Sequence, residues 1–153
     1  MTPLSSVRRR LRAVSYAVAG AVAVGCAGHT SLAGTDGVLR PCPDSPNCVS
    51  SEAADSAHRV PTVAFTDAPD SAQRRARAAL LAEPRTRVAT DRPGYLHAES
   101  RSRVFRFVDD IEIVVDGAAH VFRFRSAARL GRNDTGVNRA RVERVSARLR
   151  APA

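Results

Sequence analysis

From Tyr95 to Arg125 the chain alternates apolar and polar residues with the period of a half-buried β-strand, two residues per repeat. In Arg103 to Asp116 the odd positions hold Phe105, Phe107, Asp109, Ile111, Ile113 and Val115, an apolar face interrupted once, at Asp109. The even positions hold Arg106, Asp110, Glu112 and Asp116, with Val104, Val108 and Val114 between them. So long a run exceeds an ordinary strand, so a bend, bulge or tight turn is expected near Val108 to Asp110. Such a break would also relieve Asp109, because an unpaired carboxylate on a core face costs several kcal/mol. Asp116-Gly117 is a hairpin signal. It leads into Ala119 to Arg125, where Phe122 and Phe124 face one way and Val121, Arg123 and Arg125 the other.

Upstream, Tyr95 to Glu99 predicts a strand with Tyr95, His97 and Glu99 on one side and Leu96 and Ala98 on the other. Thr86 to Thr90 is a second candidate, separated from it by the turn residues Asp91-Arg92-Pro93-Gly94. His58 to Phe65 is interrupted by Pro61 and reads as an edge strand at most. The period changes to that of a helix from Asp70 to Leu81, where Ala72, Ala76, Ala79 and Leu80 share one face, Arg74, Arg75 and Arg77 are solvated, and Pro84 closes the element. Asp67 is its candidate cap, and Pro69 suits its first turn. Ser126 to Gly136 reads as a loop and Val137 to Arg150 as a helix with the stripe Val137, Val142, Val145 and Leu149, capped by Asp134 or Thr135. Pro41 to Ser51, with three prolines, should form turns rather than regular structure: a stapled cap holding the N-terminal arm, or a rigid wall of a site. The order predicts an α+β fold, a small antiparallel sheet of about four to five strands with two packed helices in a two-layer sandwich.

The N-terminus follows a different pattern. Arg8, Arg9, Arg10 and Arg12 precede an apolar run of small residues, Ala13 to Gly25, which ends at Cys26. This is a signal peptide in outline, over residues 1–25. The run is well short of the roughly 20 residues that cross a bilayer as a helix, which favours cleavage over an uncleaved anchor. Ala23-Val24-Gly25-Cys26 resembles the lipobox of bacterial lipoproteins, with Ala23 where leucine is usual, and implies cleavage before Cys26 and acylation of its thiol. The alternative is cleavage later, near Ala33. Residues 26–40 are small and polar and read as a flexible tether, leaving 41–150 for the folded domain.

Of the three cysteines, lipidation of Cys26 leaves Cys42 and Cys48, which in an oxidising compartment would form a local disulfide. The CxxC spacing of zinc sites is absent and His58 adds too few ligands, so no metal is expected, and no cofactor. The formal charge of +9 falls to 9 − 4 = +5 once the four arginines before Cys26 are removed. The other arginines are dispersed from Arg40 to Arg150 and only 5% of residues are aromatic, which leaves no stacking platform and argues against nucleic acid. The expected partners are a membrane surface, through the lipid, and an anionic small molecule or an envelope protein.

Three blocks carry a family resemblance: Pro41 to Ser51; Tyr95 to Glu99 with Arg101 to Ile113; and Arg125 to Glu143. Together they resemble the signature blocks of DUF1499, a bacterial and plastid family. The resemblance implies no activity and no catalytic residues.

The recognised catalytic patterns fail: there is no GxSxG, no HExxH and no Walker loop. What remains is a polar set: His97, Glu99, Asp109, Asp110, Arg125, Arg129, Asp134, Asn138 and Arg139. Three readings stay open. The set is a hydrogen-bonded network fixing the Gly131 turn; or Arg125, Arg129, Asp109, Asp110, Asp134, Asn138 and Arg139 bind an anion beside a helix N-terminus; or His97 with Glu99 or Asp109 is an acid and base pair. The functional expectation is an exported, membrane-anchored module of the bacterial cell envelope that binds or scaffolds without catalysis, with an enzyme using the His97 pair as the alternative.

Overall fold

The computed structural model describes Gly34, residues 37–132 and residues 135–151. Its elements run β1 (Cys48–Ser50), β2 (Val63–Ala64), α1 (Pro69–Leu81), β3 (Thr86–Arg92), β4 (Tyr95–Arg101), β5 (Val108–Asp116), β6 (Val121–Ala128) and α2 (Val137–Arg150). The strands form one sheet in the order β1-β6-β5-β4-β3, with every pairing antiparallel. β2 pairs with β6 on the edge that β1 also uses. The sheet therefore has six strands rather than four or five, because two short segments share one outer edge. One of them, β1, lies within the proline-rich stretch where only turns are expected.

Strand alternation sorts the sheet into two faces. Leu96 and Ala98, Ile111, Ile113 and Val115, Phe122 and Phe124 pack in one cluster with Ala72, Ala76, Ala79 and Leu80 of α1 and Val142, Val145 and Leu149 of α2. Each fully buried large side chain contributes about 1.5–3 kcal/mol to folding. Both helices thus lie on the same face and touch one another, which makes the fold a two-layer α+β sandwich. Asp67 does not cap α1; it pairs with Arg75 at 2.7 Å, and Arg75 also donates to the Leu149 carbonyl. Arg75, expected in solvent, instead ties the start of α1 to the end of α2. The residue before α2 is Gly136, whose φ of 82° is a left-handed conformation that suits glycine, and its helix has no side-chain cap there.

The break in the long alternating stretch falls earlier than the pattern predicts. β4 ends at Arg101 and β5 begins at Val108. Between them a loop is closed by the Ser102 N–H to the Phe107 carbonyl and by the Phe107 N–H to Ser102 Oγ, both 2.9 Å, with Arg106 left-handed at φ 55°. Phe105 and Phe107, expected on the apolar face, are consequently in the open, 74% and 47% exposed. β6 in turn continues to Ala128 where a loop was expected from Ser126, because Arg125, Ser126 and Ala127 find backbone partners on both sides, in β5 and β1.

The second face is covered from the N-terminal side. Leu39 is buried against Tyr95 and Val114. The Gly34 N–H donates to Glu112 Oε1 at 2.6 Å, and Cys42 is disulfide-bonded to Cys48 at the start of β1. The segment read as a tether over 26–40 is therefore docked at Gly34 and at Leu39. Cys26 and Asp134 lie outside the described residues.

Candidate functional site

The polar set does not converge on one place, because its members alternate along β5 and so point to opposite faces. Asp110 and Glu112 face the N-terminal arm with Tyr95, His97 and Glu99 of β4, Arg125 of β6 and Arg129 just past its end. Asp109 faces α2. The register confirms the pairing: Glu99 lies opposite Asp110, His97 opposite Glu112, and Glu112 opposite Arg125.

Under the arm the contacts form two neighbouring groups, one on Glu112 and one on Asp110. Arg125 donates to Glu112 Oε2 at 3.0 Å, and the Tyr95 hydroxyl to Oε1 at 2.7 Å. His97 Nε2 lies 2.7 Å from Asp110 Oδ1, while Arg129 grips the same carboxylate with two nitrogens, at 3.0 Å to Oδ2 and 2.7 Å to Oδ1. Arg129 also reaches Glu99 Oε1 at 2.8 Å, and Glu99 Oε2 accepts from Arg87 at 2.6 Å. Asp110 and Glu112 have no exposed surface, and Arg125 is among the largest buried side chains. Burial raises the Tyr95 hydroxyl far above its ordinary value, reinforced by its hydrogen bond to Glu112, so it stays a donor. Burial also pushes the Glu99 carboxyl up, but Arg129 and Arg87 outweigh it and hold that group below its ordinary value. The bidentate bond to Asp110 raises Arg129 further still, so its charge is permanent.

On the helix face the contacts make a second, separate network. Asp109 pairs with Arg141 at 2.7 Å. Arg141 also donates to Asn138 Oδ1 at 2.7 Å, and Ser126 Oγ approaches the same oxygen at 2.6 Å. Asn138 Nδ2 donates to the Asn47 carbonyl at 3.0 Å, and Asn47 Nδ2 donates to the Gly131 carbonyl. The first turn of α2, the lead into β1 and the Gly131 turn are thereby bolted together.

The acid and base pair expected between His97 and Asp109 does not form, because His97 shares its face with Asp110, and Asp109, next to Asp110 in β5, points to the opposite face. His97 binds Asp110 instead, and Glu99 is joined to that pair through Arg129. Arg139 stands apart from both networks and donates to the carbonyls of Arg59 and Ala57 at the surface. Asp109 is relieved by Arg141 rather than by a strand break. Sequence reasoning missed Glu112, Tyr95, Arg141 and Asn47. For Glu112 a signal existed, since its even-numbered position shares a face with Asp110 and needs a cation across the strand. For Asn47 there was none, because Gly131 and Asn138, which it joins, are 84 and 91 residues away. Among the described residues no group of three or more His, Cys, Asp or Glu side chains is placed to hold a metal ion, and no helix is long and apolar enough to cross a membrane.

A cleft of about 240 Å³ opens beyond the end of the sheet, between Arg85, the loop after β4 and the first turns of α2. Arg85, Arg101, Arg103, Arg141 and Arg144 line it. Its two acids are already committed: Asp109 to Arg141, and Glu83 to Arg144 and Arg148. Burial pushes Glu83 up, but those two arginines prevail and keep it below its ordinary value. Arg85 donates one nitrogen to the Arg101 carbonyl, and among the described residues no carboxylate pairs with Arg85, Arg101 or Arg103.

These features define a class, a disulfide-stapled α+β sandwich with ionic networks on both sides of its sheet. The sequence model of DUF1499, described as a protein of unknown function, matches residues 38–149, and the chain belongs to that family. No curated protein matches the chain.

Proposed function

We propose that this protein is an exported module of the bacterial cell envelope, held at a membrane through lipid on Cys26, which binds an anionic group without transforming it. The observation that carries the binding part is the arginine-lined cleft. Asp109 and Glu83 are neutralised by their own partners, so Arg85, Arg101 and Arg103 present positive charge that nothing described within the cleft offsets. Guanidinium groups match phosphate or carboxylate oxygens with paired N–H donors. Export is supported by the charged and apolar N-terminal pattern and by the Cys42–Cys48 bond, since such bonds persist in oxidising compartments. Against catalysis stands the burial of His97 and Asp110 beneath the arm, with both oxygens of Asp110 held by Arg129.

Thermal denaturation with inorganic phosphate tests the cleft. Phosphate should raise the melting temperature of the native chain and leave Arg85→Gln/Arg103→Gln unmoved. An equal response in the two proteins would overturn the assignment. A turnover lost in a stably folded His97→Ala variant would restore the enzyme reading. Mass spectrometry of the mature N-terminus decides lipidation, and an unmodified chain beginning elsewhere than Cys26 rules it out.

A further inference from the structure

The loop between β4 and β5 is the most apolar exposed part of the described chain. Val104 and Phe105 are each 74% exposed and Phe107 is half exposed, and the two rings stack with centroids 5.5 Å apart. A large apolar side chain left in water forgoes the transfer energy that its burial would release, so a cluster of three marks a contact surface. The loop is built to display them. Its base is closed by the reciprocal bonds of Ser102 and Phe107, so the tip is held out with little further ordering on contact. Leu130 and Val137 add exposed apolar surface at the same end: the Arg129 N–H bonds the Val108 carbonyl, and Val137 shares the cleft with Ser102 and Arg103.

The charge around the tip has one sign. Arg101, Arg103 and Arg106 flank Val104, Phe105 and Phe107, and residues 101–107 contain no acid. No described carboxylate pairs with any of the three. An apolar tip ringed by arginines complements a surface that is anionic outside and apolar just beneath, the layering of a bilayer rich in acidic phospholipid. Long arginine side chains bury their stems while the guanidinium stays at headgroup level.

We propose that this loop seats the molecule on an anionic bilayer, with lipid phosphates against Arg101, Arg103 and Arg106 and the side chains of Val104, Phe105 and Phe107 entering the acyl boundary. The proposal deepens the envelope reading and rests on it for the membrane that is met. Reach permits both contacts at once. Glu112, which Gly34 touches, lies four residues along β5 from Val108, about 14 Å at strand rise. Gly34 lies eight positions after Cys26, a span of at most about 29 Å, so a lipid on Cys26 and the loop can meet one bilayer.

The chain contains no tryptophan, so Phe105→Trp installs a single reporter in the loop. The full chain carrying that change and Cys26→Ser, which removes the lipid site, is titrated with vesicles of phosphatidylglycerol and phosphatidylcholine, and with phosphatidylcholine alone. The indole emission should shift to the blue and be quenched by brominated acyl chains on the anionic vesicles only. Adding Arg101→Gln, Arg103→Gln and Arg106→Gln should weaken insertion about a hundredfold. Unchanged emission on anionic vesicles, or equal insertion into both kinds, would overturn the proposal. So would a blue shift that grows with protein concentration in the absence of vesicles, which would assign the patch to a second copy of the chain. Because the indole reports only its own surroundings, failure here is distinct from failure of lipidation, which mass spectrometry reads separately.

Discussion

The two faces of the sheet are sealed by different physics. On the helix side alanines of α1 and large aliphatic and aromatic side chains exclude water over most of the surface, and the interaction is non-directional. On the arm side the covering is thin, with Leu39 against Tyr95 and Val114, and beneath it lie Glu112 with Arg125 and Asp110 with Arg129. The first face tolerates any filling of similar volume and shape. The second requires each charge to keep its partner, because an orphaned ion in that environment costs more than a lost contact. Apart from the Asp109–Arg141 network beside α2, specific geometry is therefore concentrated on the arm side, and both networks lock rather than expose the groups that sequence alone marks as candidates for chemistry.

The two faces should differ most in their response to loss of Arg125. Arg125→Ala leaves Glu112 buried without its cation and should cost about 3–5 kcal/mol in urea denaturation, as much as Phe124→Ala does by cavity formation on the other face. The two should part in the double variant: Glu112→Leu with Arg125→Leu should recover much of the loss, since replacing both partners removes the uncompensated charge. A double variant no better than Arg125→Ala would show that the face depends on something other than charge pairing.

Next in size is the staple. Removing the Cys42–Cys48 bond with paired serines should cost about 2 kcal/mol, the loop-closure entropy of so short a ring. Hydrogen exchange should then quicken at Leu39 and across the arm side before it changes at Leu80 or Val145. Uniform loss of protection on both faces would contradict separate sealing.

Smallest is the acid response. Glu99 and Glu83 titrate below their ordinary value of 4.5 in the folded chain, so each binds its proton less readily when folded than when unfolded. Their stabilisation is complete above that ordinary value and is lost as pH falls through the lower folded values. The urea midpoint should therefore decline as pH falls below 4.5. Glu99→Gln should flatten part of that decline.

Much of this was legible in the residues. Period-two alternation located β4, β5 and β6 and which side of each meets the core, and the helical stripe of Val142, Val145 and Leu149 located α2. What was hidden depends on register and on long-range contact. The turn from Gly117 to His120 sets Asp116 opposite Val121, and only that count brings Glu112 to Arg125. Grouping Asp109 with Asp110 failed for the same reason, since neighbours in sequence are strangers across a sheet. Phe105 and Phe107 carry the strand pattern yet lie in the loop, because the Ser102 to Phe107 closure takes the place of a continued ladder there. Leu39 was hidden in a small, polar segment whose composition resembles a linker, and only the matching surface of Tyr95 and Val114 gives it a place.

The proposed division leaves the sheet's polar residues in closed networks and gives contact with the outside to the arginines beyond the end of β4. An amide chemical-shift titration of the isotopically labelled protein with inorganic phosphate addresses it directly. Shifts should be confined to Arg85, the segment from Arg101 to Phe107 and the first turn of α2, with His97, Asp110 and Glu112 unmoved. Shifts centred on His97 and Asp110, with the loop silent, would contradict it.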